Sequence, residues 1–339
     1  MNKRILISDP TLRDGNHAIR HQLTRQNFIS YCQAAEAAGV PVVEVGHGNG
    51  LGASSMLVGE CKLNDEEILF VSRENLKNTR MAIHVIPGFC TIKNDLARAV
   101  DLGVDIFRVG SHCTEADITA RHIAYARNAG KEAYGVLMMS HMASPEVLLE
   151  EAKKMESYGA EAIVIMDSAG AYFPSDVTER IITLVDGLNI PVGFHGHNNL
   201  GMAVSNSIAA VNAGASILDG SIRGFGAGAG NTQLEVLVAV LGRLGYETGI
   251  DLYKILDAAS IAEKEFNPVA PFSSPISIVS GLAGVFSGFS KQVGAIAQEY
   301  KVDPRDIFFE LGRRNAVAGQ ESLILEVAKQ LASAQEKRS

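Results

Sequence analysis

Arg13, Asp14 and His17 crowd one short segment near the N-terminus, and His195 and His197 form a His-x-His pair in the second half of the chain. A guanidinium, a carboxylate and imidazoles are the groups that hold a divalent cation and steady a developing oxyanion. Alternate residues of a strand point to the same side, so both imidazoles can face one point, and Gly196 leaves the approach uncrowded. With the Asp14 carboxylate they make a mixed N/O set that keeps positions open for water and substrate. Such a set suits Mn²⁺ or Mg²⁺, with Zn²⁺ or Co²⁺ as alternatives. The plainer reading is a pair of hydrogen-bonded histidines and an aspartate closing a turn. Two histidines on one strand face, opposite an Arg-Asp-Gly, favour ligation.

For these groups to meet, one fold must bring residues 13–17 and 195–197 to the same end of one sheet. Val- and Ile-rich stretches at 5–10, 42–46, 81–86, 106–110, 133–138, 162–167, 192–197 and 217–222 read as strands. Helical patterns at 25–38, 94–102, 116–129, 145–158, 175–188, 202–213 and 234–244 alternate with them. The phrases AAGV, DLGV, NAGK, SYGA and NAGA put glycine where a helix end needs a left-handed residue. This repetition predicts an α/β fold, a closed (β/α)8 TIM barrel over residues 1–265. From 252 onward only helical periodicity continues, so a helical C-terminal domain is expected over 266–339, with the proline-rich 267–275 as the connection. Catalytic groups of such barrels sit at the C-terminal ends of the strands. Strands 1 and 7 end in the residues singled out above, and only strand 8 separates them.

The 339-residue chain is 47% hydrophobic and 20% charged, with a net charge of -8, and its basic residues gather in no cluster larger than short pairs such as Lys337 and Arg338 at the tail. That balance speaks against a nucleic-acid partner. Residues 1–7 lack the pattern of a signal peptide and no run of about 18 apolar residues occurs, so no membrane span and a cytoplasmic location are expected. Cys32, Cys61, Cys90 and Cys113 are far apart with no Cys-x-x-Cys pair, which argues for buried thiols rather than a zinc site or a disulfide framework.

The longer stretches DPTLRDGNHAIRHQLT, GFHGHNNLGMAVSNS and GFGAGAGNTQLEV closely resemble the 4-hydroxy-2-oxovalerate aldolases. These are pyruvate aldolases of the barrel superfamily that includes 3-hydroxy-3-methylglutaryl-CoA lyase and isopropylmalate synthase. EVGHGNGLGASS, RVGSHCTEAD, DSAGAY and ELGRRNAVAGQES carry the resemblance over nearly the whole chain. It implies a metal on Asp14, His195 and His197, chelated by pyruvate or its enolate, with His195 also lying against the substrate. The implied reaction is reversible retro-aldol cleavage of a 4-hydroxy-2-oxo acid to pyruvate and an aldehyde such as acetaldehyde, within aromatic hydrocarbon catabolism. Arg13 would share the enolate charge with the metal.

His17 matches the family's general base, and its ordinary pKa suits that work. Claisen-type acyl-CoA synthases of the superfamily usually carry Gln there, which sets this chain with the aldolases. Ser168 is expected either to hydrogen-bond the pyruvate carboxylate or to form the turn before Gly170. Glu44 is a candidate partner for Arg13, His47 and His112 are weaker pocket candidates, and His21 is expected to be solvated. The glycine-rich 224–231 reads as a tight loop that lets backbone approach the metal pocket, with Asn231 ordering the loop or the metal's outer shell.

One departure stands out. Where the family has a phrase like GVYSSF, with a Tyr over the active site, this chain has GVFSGF and places Phe286. The aldehyde half of the pocket is therefore expected to differ while the metal half is retained. The resemblance also implies an oligomer and an acylating aldehyde dehydrogenase partner docked on the C-terminal helices. Intact Arg13, Asp14, His17, His195 and His197 argue against a catalytically silent partner subunit.

Overall fold

β1 (Leu6–Leu12) opens an alternation with α1 (Arg25–Ala38), β2 (Val42–Val45), α2 (Asp65–Asn75), β3 (Arg80–Val85), α3 (Ala97–Asp101), β4 (Ile106–His112) and α4 (Ala120–Asn128). It continues through β5 (Glu132–Met138), α5 (Pro145–Ser157), β6 (Ala162–Asp167), α6 (Pro174–Gly187), β7 (Val192–Gly196), α7 (Ala203–Asn212), β8 (Ile217–Asp219) and α8 (Leu234–Arg243). All neighbouring strands run parallel, and β8 returns to β1 with Leu6 opposite Ile217 and Ser8 opposite Asp219. The sheet closes as a (β/α)8 barrel. The structure, a computed structural model, describes residues 4–266, 271–317 and 319–336. The start of the expected connection, 267–270, and the basic pair at 337–338 lie outside the described residues.

The helix-ending glycines fall as expected. Gly39, after α1, has φ 76°, and the matching glycines at 103, 130, 159 and 214 are also left-handed. Several elements differ from the sequence pattern, α2 and strand 8 among them. α2 has a polar first turn that hides its periodicity, but Asn64 and Glu67 form a reciprocal capping box at its start. Strand 8 stops at Asp219 rather than 222, because Ser221 turns away to donate its backbone N–H to Thr232.

Inside the barrel the layers change character along the strands. Val42, Ala82, Ile106, Tyr134, Ala162 and Ile217 pack together with Leu6 at the N-terminal end. Two residues further along five of these strands, on the same face by alternation, stand Ser8, Glu44, His84, Arg108 and Asp219, all at most 3% exposed. Barrel interiors are ordinarily filled by Val, Ile and Leu. A polar layer in that place costs packing energy that the fold must recover through hydrogen bonds and charge pairing.

Beyond the barrel, α9 (Leu252–Glu265) buries Ile255, Ala258 and Ala262 in the barrel's own outer core. α10 (Pro275–Ala283), α11 (Ser290–Tyr300), α12 (Pro304–Arg313) and α13 (Ser322–Glu336) enclose a second core that includes Val285, Phe289, Val293, Phe308, Leu311 and Val327. Cys32, Cys90 and Cys113 are buried free thiols and Cys61 is a partly exposed one. Among the described residues no helix is long and apolar enough to cross a membrane.

Candidate active site

The register of β1 on β2 shifts between Asp9 and Leu12, and an irregularity of this kind re-aims the residues that follow it. The chain then turns through Asp14–His17 across the mouth of the barrel. Arg13 Nη1 donates to Asp14 Oδ1 (2.8 Å) and to the Gly48 carbonyl (3.1 Å), and its Nη2 donates to Glu44 Oε2 (3.2 Å). The expected Glu44 partnership is therefore present. Burial alone would lift the Asp14 pKa, but Arg13, and then His197, His17 and His195, outweigh it and hold the carboxyl well below the usual range.

β7 delivers His195, and His197 follows immediately after its last residue, bridged to Asn231 of the loop after β8. His195 Nδ1 lies 2.9 Å from Asp219 Oδ2, so the ring presents Nε2 as the lone-pair nitrogen. That nitrogen is 3.3 Å from His197 Nε2. Burial, only partly countered by Asp14, takes His197 down to about 4, so this ring is neutral and its lone pair available. Ligand atoms of Asp14, His195 and His197 all lie within 4.8 Å of one another. An imidazole pair converging beside an ionised carboxylate fits a divalent cation.

The loop after β8 completes this wall. Asn231 Nδ2 donates to Asp14 Oδ2 (2.7 Å) and to the Phe225 carbonyl (3.2 Å), and the Ala227 N–H points at the same Asp14 oxygen (3.4 Å). Asn231 thus orders both the loop and the carboxylate. A side chain on Gly230 would collide with the Gly224 carbonyl, and its φ is +88°. Asn199 ties the loop to the helical region: its Oδ1 accepts from Ala229 N–H (3.0 Å) and its Nδ2 donates to Ser287 Oγ (2.6 Å).

His17 sits at the mouth, partly exposed, where the Gly48 backbone and the Asn49 side chain hydrogen-bond to its ring. Burial lowers its pKa, with Asp14 pulling the other way. His21 corrects its expectation: it is 5% exposed and stacks on His47 with ring centroids 3.8 Å apart, since a left-handed backbone (φ 62°) turns it inward. Its ring meets His17 edge-on at 4.9 Å. His21, His47 and Cys61 form a second cluster of metal-ligating types. However, His47 Nε2 lies 3.0 Å from the Gly59 carbonyl and its Nδ1 accepts from Asn49 N–H (3.0 Å), which leaves no lone pair for an ion.

Ser168 is buried and its Oγ accepts from Met139 N–H (2.9 Å). His112 pairs with Thr114 Oγ1 (2.9 Å) at the end of β4. Phe286 packs against the core of the helical region, where its ring meets Phe289 edge-on at 6.0 Å, and the neighbouring Ser287 makes the link to Asn199. Arg108 and Asp219 were not singled out from the sequence. Their signal was a charge at an inward position of an otherwise apolar strand, in IFRVG and ILDG.

The HMGL-like family model matches residues 4–262, and a DmpG-like communication domain matches residues 271–333. A 4-hydroxy-2-oxovalerate aldolase of Pectobacterium atrosepticum is 77% identical over 336 residues, covering 99% of this chain and 98% of that one. Another, of Spirochaeta aurantia, is 64% identical over 97% of this chain and 96% of the relative. Among solved structures, the carboxyl transferase domain of Rhizobium etli pyruvate carboxylase, determined with pyruvate, superposes with a TM-score of 0.80 at 19% identity, covering 98% of this chain. This chain spans 61% of that one, and the likeness is one of fold. The chain belongs to the HMGL-like family and, within it, to the 4-hydroxy-2-oxovalerate aldolases, which are carbon–carbon lyases.

Proposed function

We propose that the barrel, residues 1–265, catalyses reversible cleavage of a 4-hydroxy-2-oxo acid, such as 4-hydroxy-2-oxovalerate, to pyruvate and an aldehyde such as acetaldehyde. The observation that carries this reading is the convergence of Asp14, His195 and His197 beside the buried guanidinium of Arg13. When bound, a divalent ion there, Mn²⁺ or Mg²⁺ by the hard carboxylate and open positions, supplies Lewis-acid stabilisation of negative charge. Arg13 is held by Glu44, Asp14 and Gly48, so it meets charge developing on the 2-oxo oxygen without first reorganising. Neutral His17 takes the proton of the C4 hydroxyl as the C3–C4 bond breaks, the aldehyde carbonyl forms and the electron pair passes into the pyruvate enolate. Ser168 binds the pyruvate carboxylate from the end of β6.

Phe286 brings no hydroxyl to the aldehyde side, so that half of the pocket departs from the family pattern while the metal half keeps it. The helical unit, 266–339, docks an acylating aldehyde dehydrogenase that takes up the aldehyde. The communication-domain match and the exposed Ile278, Leu282 and Phe309 support that reading. The test is a screen of 4-hydroxy-2-oxo acids of several chain lengths with metal-supplemented protein, pyruvate being read with lactate dehydrogenase. Metal-dependent pyruvate release is expected, lost in His195→Ala. Absence of pyruvate from every substrate, with free thiol released from an acyl-CoA and a keto acid, would replace the aldolase with a Claisen enzyme.

A further inference from the structure

The polar layer inside the barrel centres on one cation. Arg108, on β4, is 1% exposed and spans the interior: its Nη2 donates to Asp219 Oδ2 on β8 (2.6 Å), and its Nη1 donates to Ser8 Oγ on β1 (3.0 Å) and Glu44 Oε2 on β2 (3.3 Å). Each carboxylate it holds also grips a group of the site. Asp219 Oδ2 faces His195 Nδ1 at 2.9 Å, and Glu44 Oε2 accepts from Arg13 Nη2 at 3.2 Å. The same oxygen serves both partners in each case. Neither buried carboxylate is tolerable alone, because an uncompensated charge in the interior is strongly unfavourable.

We infer that Arg108 is a positioning residue shared by the two halves of the site, setting the ring of His195 through Asp219 and the guanidinium of Arg13 through Glu44. The inference rests on the metal reading proposed above. A carboxylate on Nδ1–H fixes the histidine tautomer, aims Nε2 at the ion and makes that nitrogen a better donor. A planar fork with two separate Nη atoms can hold two carboxylates on different strands at once, whereas a lysine presents a single point charge. A metal ligand and the group that meets the substrate's negative charge are thereby referenced to one rigid side chain. Their spacing is then set by the barrel rather than by the loops.

The test uses the full chain with Asp219→Asn, Glu44→Gln, Arg108→Lys and, as reference, His195→Ala, each checked for native circular dichroism. Mn²⁺ affinity is read from the electron paramagnetic resonance of the free ion, and kcat and KM are measured separately. Asp219→Asn is expected to weaken Mn²⁺ binding about 10–100-fold. Glu44→Gln should lower kcat with Mn²⁺ affinity unchanged, and Arg108→Lys should do both. The double variant Arg108→Lys with Asp219→Asn should bind Mn²⁺ no more weakly than Asp219→Asn alone, as one shared path requires. If Arg108→Lys does not fold, the nearly isosteric Asp219→Asn and Glu44→Gln decide the matter. Wild-type Mn²⁺ affinity in folded Asp219→Asn, with affinity lost in His195→Ala, would overturn the shared anchor and leave the metal centre standing. A wild-type chain that binds no Mn²⁺ would overturn both.

Discussion

The proposed chemistry turns on a base that must be neutral to act. Burial takes His17 below its ordinary value of 6.5 against the pull of Asp14, so the neutral ring dominates at neutral pH. The acid limb of kcat/KM is therefore expected below pH 6.5, with activity rising as pH increases through it and flat above. His17→Ala should lower kcat by about 10²–10⁴ and abolish that limb, as a pH profile of wild type and variant will show. Phe286→Tyr should shift the ratio of aldehydes accepted in the aldol direction without moving Mn²⁺ affinity. Equal product ratios from competing aldehydes would remove Phe286 from the pocket. The mouth residues were legible in the sequence because Arg13, Asp14 and His17, and His195 and His197, sit close together in the chain. Arg108 and Asp219 were not, because their meaning depends on a closure that brings positions 111 apart to 2.6 Å.

At the scale of elements, the loop after β8 does most to hold Asp14 from outside the barrel. Gly230 has a left-handed φ and no room for a side chain, so Gly230→Ala must displace the segment that carries Asn231. A loss of about 1–3 kcal/mol in stability is expected from the backbone alone, measured by urea unfolding. Mn²⁺ affinity should fall with it, because Asn231 no longer holds Asp14. The strands and most helices were legible from Val- and Ile-rich runs and from glycines that end helices. α2 was not, since its cap is a local hydrogen-bond exchange rather than an apolar stripe. Nor was the inward turn of His21, which follows from a left-handed backbone at a non-glycine residue.

For the whole molecule, buried carboxylates divide by sign. Burial pushes Asp9 up to about 6 even though Thr11 and Tyr31 hydrogen-bond to it, and Asp167 is likewise pushed up to about 6. The folded state binds those protons more tightly than the unfolded one. Their contribution to stability is full below the unfolded value of 3.8 and is lost as pH rises through about 6. Asp14 and Asp219 behave oppositely: Asp219 is held at about 2, chiefly by Arg108 acting against burial, and its contribution is lost only as pH falls through that value. Asp9→Asn should therefore flatten the decline of stability between about pH 4 and pH 6 by about 1–3 kcal/mol, measured by urea unfolding across that range.

We propose that turnover depends on one divalent ion held by Asp14, His195 and His197. Chelator-stripped protein titrated with Mn²⁺, with free ion and pyruvate release followed in the same sample, tests it directly. Activity should be absent at first and rise in proportion to occupancy of one ion per chain. Full activity in the stripped protein, unchanged by added Mn²⁺, would contradict it.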